Sequence, residues 1–264
     1  MVVSINDPTA VRKRSVISVV VAACISAVAA STACVANDGS IVVVGVLAPP
    51  VLVATPGAAC VYTPTLTGPF LPYGTIDVAF AEQYVPNILI GNQMVARGDP
   101  GQSRVETDNV TLQGAIVRIT DAGGAQLASY TVLGSGFVAA ASGGTMSLGT
   151  FSTTMIDPAT IDAARQALGS AVGTSKRLIS YIKVFGTTTG GQHIESGEFG
   201  FPVNACLGCL VTFPAGSNDP AQQPQPNCLG GATSGGTAVT TPCVMGQDQT
   251  IDCRLCQTNP VCVP

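Results

Sequence analysis

Residues 110–132 read VTLQGAIVRITDAGGAQLASYTV and carry the clearest strand pattern of the chain. Apolar residues alternate with polar ones before Gly114 and again after it, but in the opposite phase. A one-residue phase slip at a glycine is what a β-bulge produces. The turn sequence DAGG at residues 121–124 then favours a hairpin that leads into a second alternating strand. We therefore expect two antiparallel strands here, the first of them bulged.

Similar strand and turn signals continue on both sides. Apolar or alternating segments predict further strands at residues 41–47, 76–80, 88–90, 151–156, 178–185 and 194–203. One helix is expected over residues 158–168, with Asp157 as its N-cap, Pro158 at its first position and Gly169 behind it. Roughly seven to nine short strands with frequent turns favour an all-β fold, an immunoglobulin-like antiparallel β-sandwich with one short helix.

The N-terminus has the pattern of an export signal. A basic cluster at residues 12–14 precedes a run without charge, rich in Val, Ala and Ile, that extends to residue 33. The alternative is an uncleaved membrane anchor, because the run approaches the length of a bilayer span. The dilution of its end by Ala, Ser and Thr favours a signal peptide over residues 1–33.

Two cysteines, Cys24 and Cys34, follow sequences that resemble bacterial lipoboxes, in which the cysteine is acylated and becomes the mature N-terminus. Lipidation of Cys34 leaves eight other cysteines, an even number, whereas lipidation of Cys24 leaves an odd thiol in an oxidising compartment. This parity favours Cys34, although a plain signal-peptidase cut at Ala36 would also leave eight. We therefore expect contact with the membrane through an N-terminal lipid.

The eight remaining cysteines are expected to form disulfides. They are Cys60, Cys206, Cys209, Cys228, Cys243, Cys253, Cys256 and Cys262. Two C-x-x-C pairs in the tail could supply a zinc site in a cytosolic chain, but the export signal favours disulfides. Seven of the eight lie in the tail, so Cys60 must join one of them if all pair within the chain. Cys206 or Cys209 is the expected partner, because both follow the last predicted strand directly.

These features divide the chain into four regions. Residues 1–33 form the signal peptide, residues 34–60 a lipid-anchored tether with the first strand, residues 61–205 the β-sandwich, and residues 206–264 an irregular Cys-rich tail. The tail is poor in aromatic residues and cannot build its own core, so disulfides must staple it.

Charge and composition exclude some classes of function. The chain has 46% hydrophobic residues, 10% charged residues and a formal net charge of −4. Loss of residues 1–33 would remove three of the 11 basic residues and one of the 15 acidic residues, leaving −6. Such a chain has no electrostatic basis for binding nucleic acid. The 46% apolar fraction excludes a disordered chain.

One group of residues could carry chemistry. His193 and Glu195 share a strand face, and a bulge at Gly197 would add Glu198, so the three could hold a metal or act as acid and base. The alternative is a solvated outer strand face, which is the default for charged residues on a half-buried strand. We favour that alternative and predict no catalytic residue, no metal site and no cofactor.

Several stretches resemble a group of bacterial secreted lipoproteins without an assigned activity. They are residues 37–41, 91–94, 183–186, 195–203 and 249–262. This resemblance implies an exported protein with a β-domain and a Cys-rich tail, and it implies no reaction.

The sequence thus predicts a cell-envelope lipoprotein with a structural or binding role, located at the outer membrane or else periplasmic or secreted. The alternative is a secreted enzyme or metal-binding protein that uses His193, Glu195 and Glu198 or the tail cysteines. A third possibility is a soluble secreted binding module without a lipid. No particular protein or envelope partner is predicted.

Overall fold

A computed structural model of the chain describes residues 39–50, 60–213, 228 and 239–262. All of them belong to one unit, Asp38–Pro264. The predicted signal peptide and Cys34 lie outside the described residues. Within the described ranges, no helix has both the length and the apolar character needed to cross a bilayer.

Strands make up most of the regular secondary structure of the described residues. The strands are β1 (Ile41–Leu47), β2 (Phe70–Leu71), β3 (Gly74–Asp77), β4 (Asn87–Asn92), β5 (Val110–Asp121), β6 (Gln126–Val138), β7 (Ser147–Ser152), β8 (Ser175–Thr188), β9 (His193–Glu195), β10 (Phe199–Cys206), β11 (Val211–Thr212) and β12 (Ile251–Asp252). The α-helix among these residues is α1 (Pro158–Leu168), and short 3-10 helices lie at Pro100–Gln102, Cys253–Leu255 and Pro260–Cys262.

Ten strands form one curled sheet. Its order is β2-β1-β4-β7-β6-β5-β8-β10-β3, and β9 adds to β8. The link between β6 and β7 is the single register pair Ser135 and Ser152. On the other side, Ile41 of β1 forms a parallel bridge with Ser196, just after β9. The sheet is therefore a near-closed barrel.

The expected all-β class with a disulfide-bonded tail is confirmed. The strands of this large sheet, apart from β9, follow one path of neighbours instead of the two separate sheets that define an immunoglobulin-like sandwich, and β11 and β12 pair with each other in a small parallel sheet. The pairing is also not purely antiparallel, because β10 pairs with β3 in parallel, from Val203 opposite Gly74 to Cys206 opposite Asp77.

The core lies inside this curled sheet. Its largest side chains without solvent exposure are Tyr84, Phe151, Ile41, Ile76, Ile88, Leu89, Ile90, Ile119, Met155, Ile156 and Ile161. The predicted phase slip at Gly114 is present: the register of β5 against both neighbours shifts between Leu112 and Gly114. The Val132 carbonyl and the Phe185 ring both pack closely against Gly114. A Cβ at this position would clash with the carbonyl and lie 2.7 Å from Cζ of Phe185.

The predicted helix has its expected bounds. Pro158 begins α1, and Gly169 ends it with a positive φ of 69° and an N–H donated to the Arg165 carbonyl. The predicted strand 76–80 instead ends at Asp77, where the chain turns. The predicted strand 194–203 is interrupted at Ser196, whose buried hydroxyl accepts from the Val184 N–H at 3.0 Å.

Candidate functional site

His193, Glu195 and Glu198 lie on the outer face of the sheet. Residue pairing between β8 and β9 puts Glu195 opposite Phe185 and His193 opposite Thr187. Glu195 accepts from Lys183, whose Nζ lies 2.6 Å from Oε2, and His193 Nε2 lies 3.5 Å from the other carboxylate oxygen. The hydrogen bond from Lys183 lowers the pKa of Glu195. Glu195 is therefore an ionised group that already has a cation.

Glu198 has a different cation. Nη2 of Arg118 donates to both carboxylate oxygens, at 3.1 and 2.9 Å. The guanidinium carbon of Arg118 also lies 4.0 Å above the centre of the Tyr181 ring, a cation–π contact. Stacking on the Tyr181 ring and the bifurcated hydrogen bond from Nη2 to Glu198 hold Arg118 in place. We call Arg118, Lys183, His193, Glu195 and Glu198 the charged face.

The charged face does not gather three metal ligands. Within the described residues, the group of three His, Cys, Asp or Glu ligand atoms that lie within 4.8 Å of one another is Asp77, Cys206 and Cys209. A metal would have to displace Lys183 or Arg118 from its carboxylate. Surface pairs of this kind are ordinary on half-exposed strands and contribute little to stability.

Asp77 is a buried carboxylate with fixed partners. Its Oδ1 accepts from the N–H groups of Ala79 at 3.1 Å and Gly208 at 2.9 Å, and its Oδ2 accepts from that of Leu210 at 3.2 Å. Cys206 and Cys209 are joined in a disulfide. The oxygen and sulfur atoms of this cluster are thus already engaged, and Asp77 organises the loop that starts the tail.

All eight cysteines expected to pair do so in the structure. The disulfides are Cys60–Cys243, Cys206–Cys209, Cys228–Cys253 and Cys256–Cys262. Cys60 does join the tail, but the expected partner was wrong. Cys206 and Cys209 pair with each other across the short C-x-x-C loop, which leaves Cys60 for Cys243, 183 positions away.

Residues 246–249 attach the tail to the barrel, and we call them the tail clasp. The Asp77 N–H donates to the Gly246 carbonyl at 2.8 Å. The Gln247 amide exchanges two hydrogen bonds with the main chain of Val85, at 2.9 and 3.0 Å. Through these bonds, Gly246 and Gln247 of the tail clasp lie beside β3 at the edge of the sheet.

Asp248 is the central residue of the tail clasp. Its Oδ1 accepts from the Thr75 N–H at 2.7 Å and its Oδ2 from the Tyr84 hydroxyl at 2.9 Å. Burial raises the pKa of Asp248 to about 6. Burial, and next the charge of Asp248, raises the pKa of Tyr84 well above its usual range. At neutral pH this is a largely ionised carboxylate held inside protein.

The sequence did not indicate the roles of Asp77 and Asp248. Asp77 alternates with Ile76 and Val78 in the pattern of a half-buried strand, which predicts an outer face for Asp77, yet Asp77 is fully buried. Asp248 lies in an irregular segment without periodicity, so only the tertiary contact with Tyr84 identifies it.

A shallow apolar groove of about 240 Å³ lies between α1 and the sheet. Its lining residues are Leu127, Ala128, Asp157, Ala159, Thr160, Ala163, Ala164, Lys176 and Leu178. Small side chains of α1 form one wall, and the start of β6 forms the other.

Comparison with protein-family models, with curated proteins and with solved structures found no match.

Proposed function

We propose that this chain is an exported bacterial cell-envelope lipoprotein with a non-catalytic structural or binding role, anchored through Cys34. The observation that carries the proposal is the pairing of all eight cysteines after Cys34 in four disulfides. Disulfides form and persist outside the cytosol. Because every later cysteine is paired with another, none of them needs Cys34 as a disulfide partner, and lipidation of Cys34 is compatible with this pairing.

The geometry of the polar groups supports a role without catalysis. On the charged face, Glu195 and Glu198 each have their own cation. In the Asp77 cluster, three backbone N–H groups donate hydrogen bonds to the carboxylate. A catalytic or metal site needs side chains free to bind a substrate or ion, and these groups are engaged in holding the fold.

The barrel is a rigid body whose outer face could bind a partner. Its strands enclose one core, and the tail is tied back by the Cys60–Cys243 disulfide and by the tail clasp. The curled sheet presents a stable outer face for binding, as an immunoglobulin-like sandwich would. Attachment at the outer membrane is likewise proposed from the lipobox at Cys34.

The mass of the mature N-terminal peptide tests the proposal. We expect a diacylated or triacylated Cys34 and partition of the protein into the detergent phase. Cys34→Ala should release the chain from the membrane fraction, whereas the matched variant Cys24→Ala should stay with it. A mature N-terminus elsewhere without lipid, or membrane retention of Cys34→Ala, would refute the lipoprotein proposal.

Metal analysis distinguishes this proposal from the alternative of a secreted metal-binding protein. The purified mature protein should bind neither zinc nor calcium in stoichiometric amount, and His193→Ala should leave its metal content unchanged. One bound metal per chain that is lost in His193→Ala would establish the charged face as a metal site instead.

A further inference from the structure

The Cys206–Cys209 disulfide differs from the other three in its exposure to solvent. Among the eight paired cysteines, all of which the structure describes, Cys209 has the one exposed side chain. Its partner Cys206 is 1% exposed, at the end of β10. The cysteines of the other three pairs are buried or half-buried. A thiolate of another molecule can therefore reach Cys209 directly, and thiol–disulfide exchange depends on such access.

The loop between the two cysteines is held by hydrogen bonds that do not need the disulfide. Cys206 lies in β10, opposite Asp77 of β3. The N–H groups of Gly208 and Leu210, on either side of Cys209, both donate to the Asp77 carboxylate. Closing a loop of only 3 positions also restricts the unfolded chain least among the four disulfides. The fold should therefore survive reduction of this pair.

Reduction leaves the buried sulfur with a hydrogen-bond acceptor. Sγ of Cys206 lies 3.5 Å from the Ile76 carbonyl oxygen, which can accept from the S–H group of a reduced Cys206. A carboxylate oxygen of Asp77 lies within 4.8 Å of both sulfurs. A negative charge so close to a buried sulfur disfavours its thiolate form. A reduced Cys206 is therefore held as a neutral thiol, and Cys209 is the reactive sulfur of the pair.

We propose that Cys206–Cys209 is an exchangeable disulfide that a dithiol of a partner protein reduces, while the other three disulfides stay closed. A thiolate of the partner attacks Sγ of Cys209, and the bond between the two cysteine sulfurs breaks. Cys206 departs with the electron pair and takes up a proton. The second thiolate of the partner then attacks the partner's own sulfur in this mixed disulfide and releases Cys209, which is protonated in turn. This chain thus gains two electrons and two protons, and the partner dithiol is oxidised to a disulfide.

The surroundings of Cys209 suit a protein surface better than a small hydrophilic thiol. The loop residues 206–210 carry no charge. Val172, which is 61% exposed, borders this loop, since a Cβ at Gly208 would lie 2.9 Å from Cγ1 of Val172 and 3.3 Å from Cβ of Val261. Exposed apolar side chains beside a reactive group are typical of a site that contacts another protein. This inference goes beyond the proposed function and does not depend on the lipid.

Graded reduction of the full mature chain with dithiothreitol tests the proposal. The thiols released at each concentration are alkylated and located by peptide mass spectrometry. We expect Cys206 and Cys209 to be labelled together at a concentration that leaves the other six cysteines paired. Amide hydrogen exchange in β3 and β10 should remain as slow as in the oxidised chain.

The matched control is the Cys256–Cys262 disulfide, which also closes a short loop, of 6 positions. Its two cysteines are only 7% and 0% exposed. This disulfide should remain closed where Cys206–Cys209 is open. Reduction of both pairs at the same concentration would show that access to Cys209 gives no selectivity, and it would overturn the proposal.

Single substitutions test which sulfur is attacked. Cys206→Ser leaves Cys209 as an exposed thiol, which should react readily with dithiodipyridine. Cys209→Ser leaves the buried Cys206, whose reaction should be lost in the folded chain. The opposite order would contradict the assignment of Cys209. The double variant Cys206→Ser/Cys209→Ser should keep the native hydrogen exchange of β10, and its unfolding would show that this disulfide is structural instead.

A protein dithiol and a small dithiol distinguish the kind of partner. Val172→Lys should slow the reduction of Cys206–Cys209 by purified thioredoxin but leave reduction by dithiothreitol unchanged. An equal rate with thioredoxin in the native chain and in Val172→Lys would refute a protein surface as the contact at this site.

Discussion

The Tyr84 hydroxyl donates a hydrogen bond of 2.9 Å to Oδ2 of Asp248, 164 positions later in the chain. Tyr84 is fully buried in the barrel core, and Asp248 belongs to the tail clasp. The bond therefore couples the ionisation of a tail residue to the packing of the barrel. This coupling makes the attachment of the tail dependent on pH.

Asp248→Asn should change how stability depends on pH. The pKa of Asp248 is about 6 in the folded chain and about 4 in the unfolded chain. The folded state thus binds the Asp248 proton more tightly than the unfolded state does. The protonated Asp248 therefore stabilises the fold fully below about pH 4, and this contribution is lost as the pH rises through about 6. The effect is about 3 kcal/mol. Urea unfolding should show a steeper loss between about pH 4 and pH 7 in the native chain than in Asp248→Asn.

The control for this comparison is Asp121→Asn, since Asp121 lies in an exposed turn where its Oδ1 accepts from Gly123 and Ala125. That variant should keep the native pH slope. Equal slopes for the native chain and Asp248→Asn would show that Asp248 does not retain a proton in the folded state.

Replacing Asp77 should destabilise the start of the tail. Asp77→Ala leaves the N–H groups of Ala79, Gly208 and Leu210 without their acceptor in a buried site. Each unsatisfied buried donor costs about 1–3 kcal/mol. We expect a loss of about 3 kcal/mol or more in urea unfolding, against about 1 kcal/mol for Asp121→Ala. A loss no larger than that of Asp121→Ala would contradict the assigned role.

Removal of the Cys60–Cys243 disulfide should cost more than removal of Cys256–Cys262. The first closes a loop of 183 positions and the second a loop of 6. The chain-entropy model gives about 5 kcal/mol for the long loop and about 2 kcal/mol for the short one. Paired Cys→Ser variants should differ accordingly in the free energy of unfolding. The reverse order would show that chain entropy does not govern the two contributions.

Gly114→Ala should destabilise the barrel, because the added Cβ meets the Val132 carbonyl and the Phe185 ring. Overpacking of a filled site typically costs about 1–3 kcal/mol. Gly39→Ala is the matched control, since a Cβ there meets nothing within 4 Å. Thermal unfolding should separate the two variants. An unchanged midpoint for Gly114→Ala would mean that β5 relaxes around the extra methyl group.

Local signals predicted the local structure well. The opposite phases around Gly114 identified the bulge, and Asp157, Pro158 and Gly169 bounded α1 correctly. These signals lie within a few residues of the structure they specify. The strand class and the outer position of His193 and Glu195 follow from the same short-range periodicity.

The parts that failed depend on contacts between distant residues. Alternation placed Asp77 outside, because nothing near it in sequence shows that Gly208 and Leu210 will donate to it. Cysteine parity required Cys60 to reach the tail, but it could not select Cys243 among seven candidates. The parallel pairing of β3 with β10 also leaves no local trace.

The bridge between Ile41 and Ser196 has a consequence for the timing of folding. During synthesis, β1 and β3 leave the ribosome long before Ser196 and β10 exist. The barrel therefore cannot close until most of the chain has been made, and such distant pairings also fold slowly. The nascent chain accordingly remains open until Ser196 and β10 have been synthesised.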